Sequence, residues 1–162
     1  MKKIKQNLEQ IINFLRAKDY ADAQASEEYG HDIYIPSIDV KLKIFEGWDD
    51  QTQSVFIYVG RNSNDGYEWD LLNANYAIIV TPKIYLIATT HSLLEFIINN
   101  QFHSENRYKK AKPGNIIAKL RLSWLTHALP IDQADGEVRM FDKETGEEII
   151  LNCYQFESPI PD

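Results

Sequence analysis

Asp39 and Lys41 stand two residues apart in the run Ile38-Asp39-Val40-Lys41-Leu42-Lys43-Ile44, where apolar and charged side chains alternate. That alternation has the period of a half-buried strand, so Asp39 and Lys41 are expected on one face, with Ile38, Val40, Leu42 and Ile44 turned to the core. A carboxylate and an ammonium group on one face can meet a single phosphate. Asp32 opens the preceding run, Asp32-Ile33-Tyr34-Ile35, and the Pro36-Ser37 step between the runs reads as a tight turn, which makes the pair a hairpin. Two carboxylates at a hairpin can share a hard divalent cation, with the backbone carbonyl of Val40 as a further oxygen ligand. Mg²⁺ or Mn²⁺ held there would polarise a phosphodiester and lower the pKa of a bound water, while Lys41 would orient that water or neutralise developing charge. Phosphodiester hydrolysis is the chemistry this arrangement suits. The same residues also fit a plainer reading, in which Asp32 ends a turn and Asp39, Lys41 and Lys43 form a solvated strand face.

Other chemistry-bearing residues are more scattered. Arg107-Tyr108-Lys109-Lys110-Ala111-Lys112, with Lys119 and Arg121 beyond, is the densest basic run and includes an aromatic, so Arg107, Lys109, Lys110 and Lys112 are candidates for following a phosphate backbone. The competing reading is a solvated loop. His31, His91, His103 and His127 lack metal-ligand spacing. His31, beside Asp32, suits either acid/base work or a structural hydrogen bond. Ser92 and Ser123 stand in no nucleophile-elbow context, and no Gly-rich phosphate loop occurs.

The elements that must position these residues follow from periodicity. Ile4, Leu8, Ile11, Ile12 and Leu15 share one helical face, which predicts an amphipathic helix over 3–17. After the hairpin, Ser54 to Val59 reads as a third strand, with Glu46 to Thr52 a loop before it. Tyr67 to Ala74 reads as a short helix. Tyr76 to Val80 and Lys83 to Ile87 are near-continuous apolar strands, as in the covered centre of a sheet. A second helix is expected over 91–100, a strand with a short helix over 116–128, and a hairpin from Glu137 to Phe141 and Glu147 to Leu151 around Asp142-Lys143-Glu144-Thr145-Gly146. This order predicts one α/β domain over residues 1–162: a mixed sheet of about five strands sandwiched by helices over 1–102, and a C-terminal extension with a β-hairpin over 103–162.

The run Gly30-His31-Asp32-Ile33-Tyr34-Ile35-Pro36-Ser37-Ile38-Asp39-Val40-Lys41 resembles the metal-binding core of the PD-(D/E)xK nuclease superfamily, which includes restriction endonucleases and Holliday-junction resolvases. The resemblance extends over about residues 4–100. It implies a restriction-endonuclease-like fold with a metal-dependent active site that cleaves DNA, in which Asp32, Asp39 and Lys41 are catalytic and Asp32, Asp39 and Val40 hold Mg²⁺ or Mn²⁺. Glu9, on the first helix, corresponds to an accessory glutamate that the family often carries, with a catalytic and metal-binding role. Gly30-His31 stands where a proline often precedes the first Asp, and the interval from Asp32 to Asp39 is short for the family; Glu28 is the nearest alternative acid.

Composition bounds the remaining choices. The 162 residues are 44% hydrophobic and 25% charged, which fits a globular domain. A net charge of −7 opposes broad electrostatic binding of nucleic acid but leaves room for an acidic metal site or a local basic patch. The lone cysteine, Cys153, forms no internal disulfide, and a reducing, cytoplasmic setting is expected. No apolar run approaches the ~20 residues that cross a bilayer. Two functional classes stay open: a Mg²⁺-dependent DNA nuclease, and a non-catalytic acidic interaction module, such as an inhibitor or assembly subunit. The partners that suit them are DNA, another protein, or a second copy of the chain in a homodimer.

Overall fold

The computed structural model describes residues 4–63, 66–82, 84–100, 108–109, 115–122, 139–142 and 148–150. In chain order its elements are helix α1 (Leu8–Ala17), strands β1 (Gln24–Ala25) and β2 (Ile33–Ile35), a 3-10 turn (Pro36–Ile38), β3 (Val40–Phe45), β4 (Gly47–Asp49), β5 (Ser54–Ser63) and β6 (Gly66–Glu68). A second 3-10 turn (Asp70–Asn73) leads to β7 (Tyr76–Val80), β8 (Ile84–Thr89), helix α2 (Thr90–Asn100), β9 (Tyr108–Lys109), β10 (Asn115–Arg121), β11 (Arg139–Asp142) and β12 (Glu148–Ile150).

These elements form the expected mixed α/β architecture. The main sheet has the order β1-β2-β3-β7-β8-β11-β12, with β3 and β7 parallel and every other neighbouring pair antiparallel. Its first five strands come from residues 24–89, and the C-terminal hairpin β11–β12 adds to the edge of β8. A second sheet, β4-β5-β10-β9 with β6 on β5, stands on one side. Periodicity did not reveal it, because an alternating strand shows only that one face is covered and not which layer covers it. The expected loop over 46–52 contains β4, and the expected short helix over 67–74 reduces to the turn Asp70–Asn73.

The main sheet buries both faces. On one, Ile33, Ile35, Leu42, Ile44, Ile78 and Val80 pack against Ile11, Ile12 and Leu15 of α1. On the other, Phe45, Ala77, Ile79, Leu86 and Ala88 pack with Leu93, Leu94, Phe96 and Ile97 of α2 and with Val55, Ile57, Val59, Ile116, Ala118 and Leu120 of the second sheet. Alternation along β7 thus sends Ile78 and Val80 one way and Ala77 and Ile79 the other. Between Ile116 and Ile117 the β5–β10 register shifts by a bulge, and there Gly60 lies so close to the Glu68 carbonyl that a Cβ would collide with it.

Among the described residues no helix is long and apolar enough to cross a membrane. Helix α1 begins later than its apolar spacing implied, at Leu8, and Ile4 is exposed. Glu46, on the β3–β4 connection, accounts for this. Its carboxylate accepts the N–H groups of Gln6 at 2.8 Å and Asn7 at 3.1 Å and the Asn7 side-chain amide at 2.8 Å. Burial pushes the Glu46 carboxyl up, but these hydrogen bonds outweigh it and hold its pKa below the usual glutamate value.

Candidate functional site

The hairpin β2–β3 pairs Ile33 with Leu42, Tyr34 with Lys41 and Ile35 with Val40. Its turn differs from the expected one. Pro36 starts a 3-10 turn, Ile38 is exposed, and Asp39 takes left-handed backbone angles (φ 51°, ψ 51°) before β3 begins at Val40. Asp tolerates that conformation better than most residues, so Asp39 is a turn residue rather than part of an alternating strand. Its carboxylate accepts the Tyr34 hydroxyl at 2.9 Å. That hydrogen bond, helped by desolvation and by the negative charge of Asp39, raises the Tyr34 phenol above its ordinary pKa.

Asp32 has a different task. It is buried, its N–H donates to the Leu42 carbonyl at 2.8 Å, and its Oδ2 accepts the Ile44 N–H at 2.8 Å. Strand β2 starts at Ile33, so its backbone offers no ladder partner for Ile44; the Asp32 carboxylate stands in for the missing carbonyl. Glu9 is exposed on α1, which packs on the other face of the main sheet from Tyr34 and Lys41. Val40 is paired with Ile35 in the ladder. The expected ligand set of Asp32, Asp39, Val40 and Glu9 therefore does not assemble, and among the described residues no three His, Cys, Asp or Glu side chains form a metal-binding group. Arg107, Lys110 and Lys112 lie outside the described residues; Lys109 pairs with Ile117 through β9. Lys119 forms an ion pair with Asp49 at 3.1 Å and lies over the Phe56 ring.

Asp39 and Lys41 do line one cavity, of about 490 Å³. Tyr34 joins them, with Gln24, its pairing partner on β1, then Ala25, the loop residues Ser26 to Glu28, and His31. Lys41 is held through its backbone, its N–H donating to Asn75 Oδ1 at 2.8 Å and its carbonyl accepting the Asn75 N–H at 2.7 Å. The loop after β1 is tight, closed by the Ser26 N–H on the Asp32 carbonyl at 2.9 Å. Within it Gly30 sits at φ 98°, a left-handed angle favouring glycine, and a Cβ there would come within 3.0 Å of Asn73. The turn brings buried His31 back so that Nε2 lies 2.8 Å from Ser26 Oγ and 3.9 Å from Glu28 Oε2.

Ser26, Glu27, Tyr34 and Asn75 were not singled out by sequence reasoning. The one available signal was the cluster Ser26-Glu27-Glu28 followed by Gly30-His31, in which a glycine can return a histidine to a nearby serine. Comparison with protein-family models, curated proteins and solved structures gives no match to this chain.

Proposed function

We propose that this chain is a binding module that receives a cationic segment of another protein on the face formed by β1, β2 and the start of β3. The observation that carries this reading is the cavity lining, which has three carboxylates, Glu27, Glu28 and Asp39, and a single permanently cationic side chain, Lys41. Tyr29 and Ile38 are 78% and 51% exposed and adjoin Glu28 and Asp39 in the chain, so the acidic rim carries apolar anchors as well. Carboxylates steer a cationic partner, and exposed aromatic and aliphatic side chains gain by being desolvated against it. The net charge of −7 adds long-range attraction for a basic partner.

The test uses a Lys- and Leu-containing model peptide titrated at low and moderate salt, against wild type, a Glu27→Lys/Glu28→Lys double variant and Tyr29→Ala. Affinity should fall by about tenfold or more in each variant, in line with loss of a steering pair or an anchor. Binding that ignores all three changes rules the reading out.

A second reading keeps the metal-dependent DNA nuclease on a restriction-endonuclease-like scaffold, without the ligand set that the resemblance implied. It is favoured by Asp39 and Lys41 lining one cavity beside a hairpin. Wild type would then cleave single- or double-stranded DNA with Mg²⁺ or Mn²⁺, and Lys41→Ala would not. A wild type inert on both substrates removes it.

A further inference from the structure

Neither reading uses Ser26 and His31, which line the cavity as a hydrogen-bonded pair. Ser26 Oγ accepts the Glu28 N–H at 3.2 Å and lies 2.8 Å from His31 Nε2. A hydroxyl that already accepts one N–H still has its own hydrogen to give. It can give that hydrogen to Nε2 when the neutral imidazole carries its proton on Nδ1 and so presents Nε2 as a lone pair. His31 is only 4% exposed, so packing fixes the ring. Glu28 Oε2, 3.9 Å from Nε2, adds negative charge where an imidazolium would form. Hydroxyl and imidazole thus meet at the lining of an open cavity, the pairing of nucleophile and base by which a weak nucleophile is activated.

We infer that Ser26 is a nucleophile activated by His31, and that the cavity accepts small esters bearing an ammonium or guanidinium group. In the first step Ser26 Oγ attacks the ester carbonyl carbon, forming a C–O bond while its proton passes to His31 Nε2. The bond to the leaving alcohol then breaks, and that alcohol takes the proton from Nε2. Water then attacks the acyl-serine carbonyl carbon as its proton passes to the same Nε2; the bond to Ser26 Oγ breaks, Oγ takes that proton back from Nε2, and a carboxylic acid is released. Lys41 is the cationic lining group available to meet the transient oxyanion. Glu27, Glu28 and Asp39 select for positive charge on the substrate, and a cavity of about 490 Å³ limits its size. This inference is independent of the docking reading, since it requires no partner protein.

The experiment treats the whole chain with a fluorophosphonate, which transfers its phosphonyl group to an activated serine with loss of fluoride. Peptide mapping should find the adduct on Ser26, and Ser26→Ala should not take it up there. His31→Gln, which keeps a polar side chain in the buried position, should slow labelling at least ~100-fold, the usual contribution of a general base. Melting curves identify variants that fail to fold, and the wild-type adduct site is decisive even if one does. A wild type without label at Ser26, or a folded His31→Gln variant labelled at the wild-type rate, would overturn the inference and leave the pair as a loop staple.

Discussion

The Asp32 carboxylate completes a backbone hydrogen bond in a buried place, whereas the Asp39 carboxylate ties an exposed turn to a neighbouring tyrosine. Their replacements should differ accordingly. Asp32→Ala leaves the Ile44 N–H without this acceptor and should cost about 1–3 kcal/mol in urea denaturation. Asp39→Asn should cost well under 1 kcal/mol, because Asn tolerates left-handed angles equally well. It should instead lower the raised pKa of Tyr34, since the anionic acceptor and its charge are gone. A raised phenol pKa means that the Tyr34–Asp39 interaction is intact below about pH 10 and is lost as pH rises through the folded value. Absorbance titrations of wild type and Asp39→Asn, each referenced to its own Tyr34→Phe version, would show the difference. Residue types and spacing grouped Asp39 with Lys41, and both line one cavity, but grouped them as partners on a strand face, whereas Asp39 lies in the turn. They did not reveal that Asp32 serves the backbone, because that depends on where β2 begins.

At the level of elements, the start of α1 is set by a contact some forty residues away in sequence, which periodicity does not register. Ile4 continues the apolar spacing, yet Glu46 holds the N–H groups of Gln6 and Asn7 outside the helix. Its lowered pKa means that this clasp contributes fully above the usual glutamate value of about 4.3 and is lost as pH falls through the lower, folded-state value. Glu46→Gln should therefore cost about 1 kcal/mol near neutral pH, discounted for partial exposure, and nearly nothing once the wild-type carboxyl is protonated. Paired urea melts at pH 7 and in acid would measure both values. Helix α2 and strand β3 were legible because each carries its own period over several residues, and β7 and β8 because each is a short, near-continuous apolar run. The loop carrying Ser26 and His31 was not, since its closure rests on one glycine at a left-handed angle.

For the whole molecule, composition and element order sufficed for the mixed α/β class, but not for the two layers that share the main sheet. Ile78 and Ile79 are neighbours in β7 and fully buried in opposite cores, one beneath α1 and the other beneath the second sheet. Replacing either with alanine should cost about 2–5 kcal/mol, the range for deleting a buried aliphatic side chain. If the two cores unfold as one cooperative unit, each variant should show a single urea transition seen identically by tryptophan fluorescence and far-UV circular dichroism. Separate transitions for the two probes would mean that the layers melt independently.

The order of strands in the main sheet also has a consequence for synthesis on the ribosome. β8 pairs with β11, and roughly 50 residues of chain separate them, which at ~5–20 residues per second is an interval on the order of several seconds. During that time a nascent chain would display the backbone edge of β8, which later receives β11, to anything able to add a strand. The last strands of the sheet thus close an edge that earlier strands leave open, and this edge is where newly made chains would most readily associate with one another.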